Sequence, residues 1–405
     1  MKFKRVFGGL AALLVIAALV IIEPWASHPI YIPAASAKSQ AGGTVESVVY
    51  LKGYSKWELR GLIRLAGLPD PIPVENGIDL YRIMYWTEHL NKPVQASGLY
   101  ALPRGMAPRA TVMWSHGTSA ERAFAPSTPT TEEGVVIAAA FSGCGFLTIA
   151  PDLVGLGQGK GYHPYLYMPT TIHASMDMLS AAKTVSAGMK IAWKPALYLT
   201  GFSQGGLTTA QMQRTLEANP DPSFQVKAAA AISPPLNLAE ISFPNAIKGA
   251  SSASSLYAGY VLSSYSQVYG QPANSVFLDK YAAMLPKLYD GTKEQADQIE
   301  KALPRQTRTL FQPAFLASFE KGEKSWFLDA LIASEGYKWA PKAPLRLFVG
   351  SKDDDVPPED ARTSAAKMKV AGGNVSVVEV GPYGHNDVVV RAVPKAQAWF
   401  KALVK

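Results

Sequence analysis

Short, nearly uninterrupted apolar runs recur along the chain: Ala110 to Trp114, Phe146 to Ala150, Ala196 to Thr200, Ala228 to Ile232, Leu345 to Val349 and Val375 to Val380. Runs this short with so little polar alternation fit strands buried on both faces, as in a parallel sheet covered by helices. Helix-length segments lie between several of them, including Ser175 to Gly188 and Leu207 to Ala218. Strand alternating with helix predicts an α/β fold with a mostly parallel central sheet. Two more β-rich runs precede these, IDLYRIMYW (Ile78 to Trp86) and QASGLYAL (Gln95 to Leu102). The polar residues between them, Asn91 and Pro93 included, predict a hairpin-like pair. Further upstream, from about Val45 to Asp70, the pattern is mixed and ends at Pro71 and Pro73, which predicts a helical lead-in.

The strand rhythm stops between Pro234 and Pro344. Leu256, Tyr260, Val261, Ser264 and Val268 recur there at helical spacing, Thr292 with Gln295 has capping-box form, and Trp326, Phe327, Ala330 and Leu331 suggest another amphipathic helix. The expected organisation is therefore a core over 38–233, a helical cap inserted over 234–342, and the rest of the core over 343–405.

The 405 residues are 48% hydrophobic and 17% charged, a composition for a globular chain rather than a disordered one. A net charge of +8 with scattered basic residues, and no basic stripe interleaved with aromatics, argues against a nucleic-acid partner. The single cysteine, Cys144, excludes an intramolecular disulfide, and no Cys/His cluster has zinc spacing. No cofactor is signalled. The start, MKFKR followed by an uncharged apolar run from Val6 to Ile22, reads as a secretory signal. Cleavage after the small residues Ala35-Ser36-Ala37 would release a secreted or periplasmic protein and lower the net charge to +6, by removing Lys2, Lys4, Arg5 and Glu23. Without cleavage, residues 6–22 would anchor the chain to a membrane, at the short limit for a spanning helix.

Candidate chemistry begins at GFSQGG, Gly201 to Gly206. A buried strand ends at Thr200 and a helical segment follows the serine, so Ser203 occupies a strand-to-helix turn with the G-x-S-x-G spacing of a nucleophile elbow. Glycines at 201 and 205 suit a corner where strand and helix approach closely. A serine hydroxyl needs a base, and the base an orienting acid. His385, in the Gly/Pro loop VGPYGH beyond the last predicted strand and before a final helix from Pro394 to Val404, is the only one of six histidines with that setting. GSKDDDVPP offers three acids after another buried strand: Asp353, nearest the strand edge, is the first choice and Asp354 the runner-up, with Asp355 and Asp387 weaker. The order Ser203, Asp353, His385 is the nucleophile-acid-histidine order of α/β-hydrolases. Backbone N–H groups of Gln204, directly after the serine, and of Thr118, in His116-Gly117-Thr118, are the candidate oxyanion donors. The His116 side chain is expected to be structural.

Together these residues resemble the α/β-hydrolase superfamily, and more narrowly its secretory lipase and serine esterase group, from about Ile78 to Ala402. Besides GFSQGG, the matching motifs are YRIMYWTE, ASGLYALP, SHGT followed by APS, APDLVGLGQGKGYHPYL and GSKDDDVPP. Cys144 before Gly145 departs from the group's pattern. The resemblance implies hydrolysis of a small-molecule ester or lipid through an acyl-enzyme, with Ser203 attacking, His385 shuttling the proton and Asp353 holding its tautomer; Asp152 and His163 would be structural or pocket-shaping. The cap aromatics Tyr257, Tyr260, Phe311, Phe315, Trp326 and Phe327 would either line an acyl pocket or pack the cap itself. Two rivals remain open, a peptidase of the prolyl oligopeptidase type and a non-catalytic lipid-binding protein on the same fold. The first lacks a propeller's repeated blades; the second follows from fold not dictating activity.

Overall fold

The computed structural model describes residues 28–33, 39–65, 72–128, 132–292 and 296–404. The N-terminal apolar run, Ala35-Ser36-Ala37 and the Gln295 half of the capping box lie outside these. No described helix is long and apolar enough to cross a membrane.

The apolar runs are strands of one sheet. β1 (Val45–Tyr54), β2 (Ile78–His89), β3 (Lys92–Pro103), β4 (Thr111–Ser115), β5 (Leu147–Pro151), β6 (Ala196–Phe202), β7 (Gln225–Ile232), β8 (Leu345–Val349) and β9 (Val375–Glu379) align in the order β1-β2-β3-β5-β4-β6-β7-β8-β9. From β5 to β9 every neighbouring pair is parallel, while β1, β2, β3 and β5 pair antiparallel. The β2–β3 hairpin turns at Leu90 and Asn91, both at positive φ (50° and 58°), the twist that suits a two-residue connection.

Helices α1 (Lys56–Leu65), α2 (Glu132–Phe141), α3 (Met168–Gly188) and α4 (Gln204–Ala218) belong to the first part of the chain. The expected helical lead-in is thus corrected: its first half is the edge strand β1, and among its described residues Lys56–Leu65 alone are helical. Two register shifts, between Val45 and Ser47 and between Tyr50 and Lys52, break the alternation that would have marked it as a strand. A capping box opens α1, with the Ser55 Oγ accepting from Glu58 N at 3.2 Å and Ser55 N donating to the Glu58 carboxylate at 2.7 Å.

Between β7 and β8 the named elements are helical: α5 (Phe243–Lys248), α6 (Ser254–Tyr269), α7 (Asp279–Ala282), α8 (Leu285–Leu288), α9 (Ala296–Ala302), α10 (Pro313–Glu320) and α11 (Trp326–Ala333). Their aromatics pack on one another. Phe315 stacks between Phe311 and Phe319 at 5.7 and 5.5 Å, and Phe327 lies 5.0 Å from Phe243. Tyr260, Tyr265 and Phe327 share one buried cluster with Leu197, Leu199 and Ala231 of the sheet, so the described residues of these helices pack into the core that the sheet also builds. Helix α12 (Pro358–Val370) follows β8, and α13 (His385–Leu403) closes the described chain.

Candidate active site

Three parallel strands deliver the candidate triad to one edge of the sheet. β6 runs into Ser203, which turns into α4 with φ +56° and ψ −118°, a conformation an L-residue keeps only when its surroundings hold it there. Two contacts explain the flanking glycines. A Cβ on Gly205 would collide with the Ser115 carbonyl of β4, and one on Gly201 would sit 2.6 Å from that oxygen. Because the obstruction is backbone, Gly205→Ala is expected to lower unfolding stability by about 1–3 kcal/mol, the usual cost of overpacking. Urea denaturation reads this directly, and an unchanged midpoint would contradict the close approach.

Beyond β8, Gly350 turns the chain and Asp353 points inward, 4% exposed, whereas Asp354 lies exposed. The Asp353 Oδ1 accepts the backbone N–H of Asp355 at 3.1 Å and of Val356 at 2.9 Å. Its Oδ2 stands 2.8 Å from His385 Nδ1, and His385 Nε2 stands 2.9 Å from Ser203 Oγ. A carboxylate can only accept here, so Nδ1 carries the ring proton and the Nε2 lone pair faces the serine hydroxyl. Burial pushes the His385 imidazole down, but the charge and hydrogen bond of Asp353, with a smaller push from Asp355, leave it raised above its ordinary value. Phe202 covers the ring at a centroid distance of 4.6 Å.

His385 is not a loop residue preceding the last helix; it is the first residue of α13. Pro394, which suggested a helix start, lies inside α13. Gln204 opens α4, so its N–H is among those a helix leaves without an intrahelical acceptor. Thr118 follows β4 by three residues, its N–H has no acceptor among the described backbone groups, and its Oγ1 lies 2.8 Å from the Tyr165 hydroxyl. His116 is buried between two carbonyls, Gly117 O at 2.6 Å from Nδ1 and Asp152 O at 3.1 Å from Nε2, and does not belong to the Ser-His-Asp path. The Asp152 carboxylate accepts from Ser97 Oγ, Ser127 Oγ and Ser127 N, tying β3 and the Ala125 to Ser127 segment to the end of β5.

Sequence reading missed the company Asp355 keeps. Its Oδ2 accepts from the Tyr257 hydroxyl at 3.4 Å, and its charge reaches both His385 and Tyr165. Nothing in the linear pattern pairs residue 355 with α6. Asp387 sits in the first turn of α13, apart from the triad's hydrogen bonds.

A scan of protein-family models finds no match to the chain, and a search of curated proteins finds none either. Solved structures do match. A candidate hydrolase from Legionella pneumophila is 27% identical, with a TM-score of 0.82 over 89% of this chain and 98% of that one. The rice cell wall degrading esterase LipA from Xanthomonas oryzae is 24% identical, with a TM-score of 0.79 over 90% of this chain and 97% of that one. Candida antarctica lipase A in its closed state is 15% identical, with a TM-score of 0.60 over 89% of this chain and 81% of that one. The sheet, the elbow and these likenesses define an α/β-hydrolase fold. The solved structures it resembles thus include a candidate hydrolase, an esterase and a lipase.

Proposed function

We propose that this protein is a serine hydrolase that cleaves carboxylic esters, as a lipase or carboxylesterase, through Ser203, His385 and Asp353. The observation that carries the reading is the unbroken hydrogen-bond path from Asp353 through His385 to the hydroxyl of a strained elbow serine. The esterase and lipase among the similar structures support the reaction type. Ser203 Oγ attacks the ester carbonyl carbon as His385 Nε2 takes its proton, and Asp353 steadies the resulting imidazolium. The carbonyl oxygen becomes an oxyanion facing the Gln204 and Thr118 N–H groups. Collapse of the intermediate breaks the C–O bond to the alcohol, which leaves with the His385 proton. Water, activated by the same imidazole, then releases the acid from the acyl-serine.

We further propose that residues 1–37 direct export, with either cleavage or retention of 6–22 as an anchor, and that residues 234–342 act as a cap over the core. The packing among Phe243, Phe311, Phe315, Phe319 and Phe327 favours an internal structural role for most cap aromatics over an acyl groove.

Two outcomes test the mechanism. Labelling with a fluorophosphonate should attach one equivalent to Ser203 and none to Ser203→Ala; an unlabelled native protein would favour a non-catalytic role. Catalysis needs neutral His385, so kcat/KM should rise with pH through an apparent pKa above the usual histidine value of about 6.5. Removing a neighbouring negative charge lowers that pKa: Asp355→Asn should shift the acid limb to lower pH, and a limb unmoved by it would contradict the electrostatics.

A further inference from the structure

The segment Asp152 to Tyr167, between β5 and α3, takes no part in the proton path, yet it is tightly wound beside the elbow. Leu153, Gly155, Gly157, Gly161 and Leu166 all have positive φ. A Cβ on Gly155 would run into the Tyr162 carbonyl, so the loop folds back on itself and delivers His163, Pro164 and Tyr165 as a fixed unit. His163 Nδ1 lies 2.9 Å from the Val154 carbonyl, and His163 Nε2 lies 3.0 Å from Gln204 Nε2. The carbonyl accepts, so Nδ1 holds the proton. Burial drives this imidazole down to about 3, which keeps it neutral and leaves Nε2 to accept from the Gln204 amide. Two residues on, the Tyr165 hydroxyl pairs with Thr118 Oγ1 at 2.8 Å.

We infer that His163 and Tyr165 are positioning residues for the oxyanion hole, one loop clamping the side chains of the two residues whose backbone N–H groups face the developing charge. The inference rests on the proposed ester hydrolysis and names what fixes its electrophilic half. Helix α6 closes the clamp from behind: Tyr260 stacks on Tyr165 at 4.3 Å and 6° between planes, and its hydroxyl donates to the Ser119 carbonyl at 2.9 Å. Preorganised donors lose much of their value when displaced by a fraction of an ångström, so side chains that pin them control kcat without touching the proton path.

Tyr165→Phe deletes one hydroxyl and keeps the stack; Thr118→Val deletes its partner. With a short-chain p-nitrophenyl ester, each is expected to lower kcat by about tenfold to a hundredfold while KM stays within about twofold. The double variant should cost no more than the worse single one, because both remove the same contact. His163→Leu and Gln204→Leu should couple likewise. The specific readout is the rate ratio between an ester and its thiono analogue, whose carbonyl oxygen is replaced by sulfur: the hole prefers oxygen, and the ratio should shrink in the clamp variants, which a loss of general stability would not produce. Unchanged kcat and ratio in Tyr165→Phe and Thr118→Val, in a protein whose wild-type turnover depends on Ser203, would overturn the clamp alone. Turnover that survives Ser203→Ala would overturn the hydrolase reading itself.

Discussion

Ser203→Ala is expected to reduce ester turnover by about 10⁶-fold, to the residual rate that binding and oxyanion donors alone sustain. The size of the loss follows from the geometry: His385 Nε2 has only the Ser203 hydroxyl as its hydrogen-bond partner among the described residues, so no neighbouring nucleophile stands ready in its place. The variant should fold. Alanine removes only the hydroxyl, and the elbow is held by contacts of its backbone, Ser203 N to the Ile232 carbonyl at 2.8 Å and Gly206 N to the Ser203 carbonyl at 2.8 Å. Residual turnover by Ser203→Ala at a tenth of the native rate would exclude the serine mechanism.

The second large effect concerns the acid. Asp353→Asn is expected to lower kcat by about 10⁴-fold through an inverted tautomer. In the native protein, two backbone N–H groups donate to Oδ1. They will hold the asparagine carbonyl in that position and turn its NH₂ toward His385 Nδ1. The NH₂ then meets Nδ1 across the shorter of its two contacts, 2.8 Å against 3.0 Å to Oδ1, which favours the tautomer with the proton on Nε2 and removes the lone pair that accepts from Ser203. Asp354→Asn should leave turnover within about twofold, since that side chain is exposed. A loss in Asp354→Asn with an active Asp353→Asn would reverse the assignment of the acid.

Much of this arrangement can be read in the linear pattern, for physical reasons. Strands covered on both faces are largely apolar, so the predicted runs Ala110 to Trp114 and Phe146 to Ala150 fall within one residue of β4 and β5, which are buried along their whole length. Val375 to Val380, by contrast, overruns β9 by one residue and belongs to an edge strand of which only Val375 is buried. The elbow is legible because the close approach to Ser115 leaves glycine as the residue that fits at 205. The turn at Gly350 puts Asp353 first and leaves Asp354 as runner-up in the linear pattern; in the structure Asp353 is buried and Asp354 exposed. What stayed hidden depends on tertiary contact. β1 is an edge strand with two register shifts, so its alternation fails in the sequence although it pairs along its length with β2. The start of α13 at His385 was obscured by Pro394, whose position inside the helix overrides its usual reading as a boundary. The partnerships of His163 with Gln204 and of Tyr165 with Thr118 join residues 41 and 47 positions apart, and no spacing rule predicts them.

Hydrolysis of p-nitrophenyl esters from short to long acyl chains, native protein beside Ser203→Ala, asks whether the Ser203–His385–Asp353 path makes this protein a serine esterase. The native protein is expected to hydrolyse at least one chain length and the variant none, with the preferred length separating an esterase from a lipase. Absence of hydrolysis across the series, or hydrolysis that persists without the serine, would exclude a serine esterase.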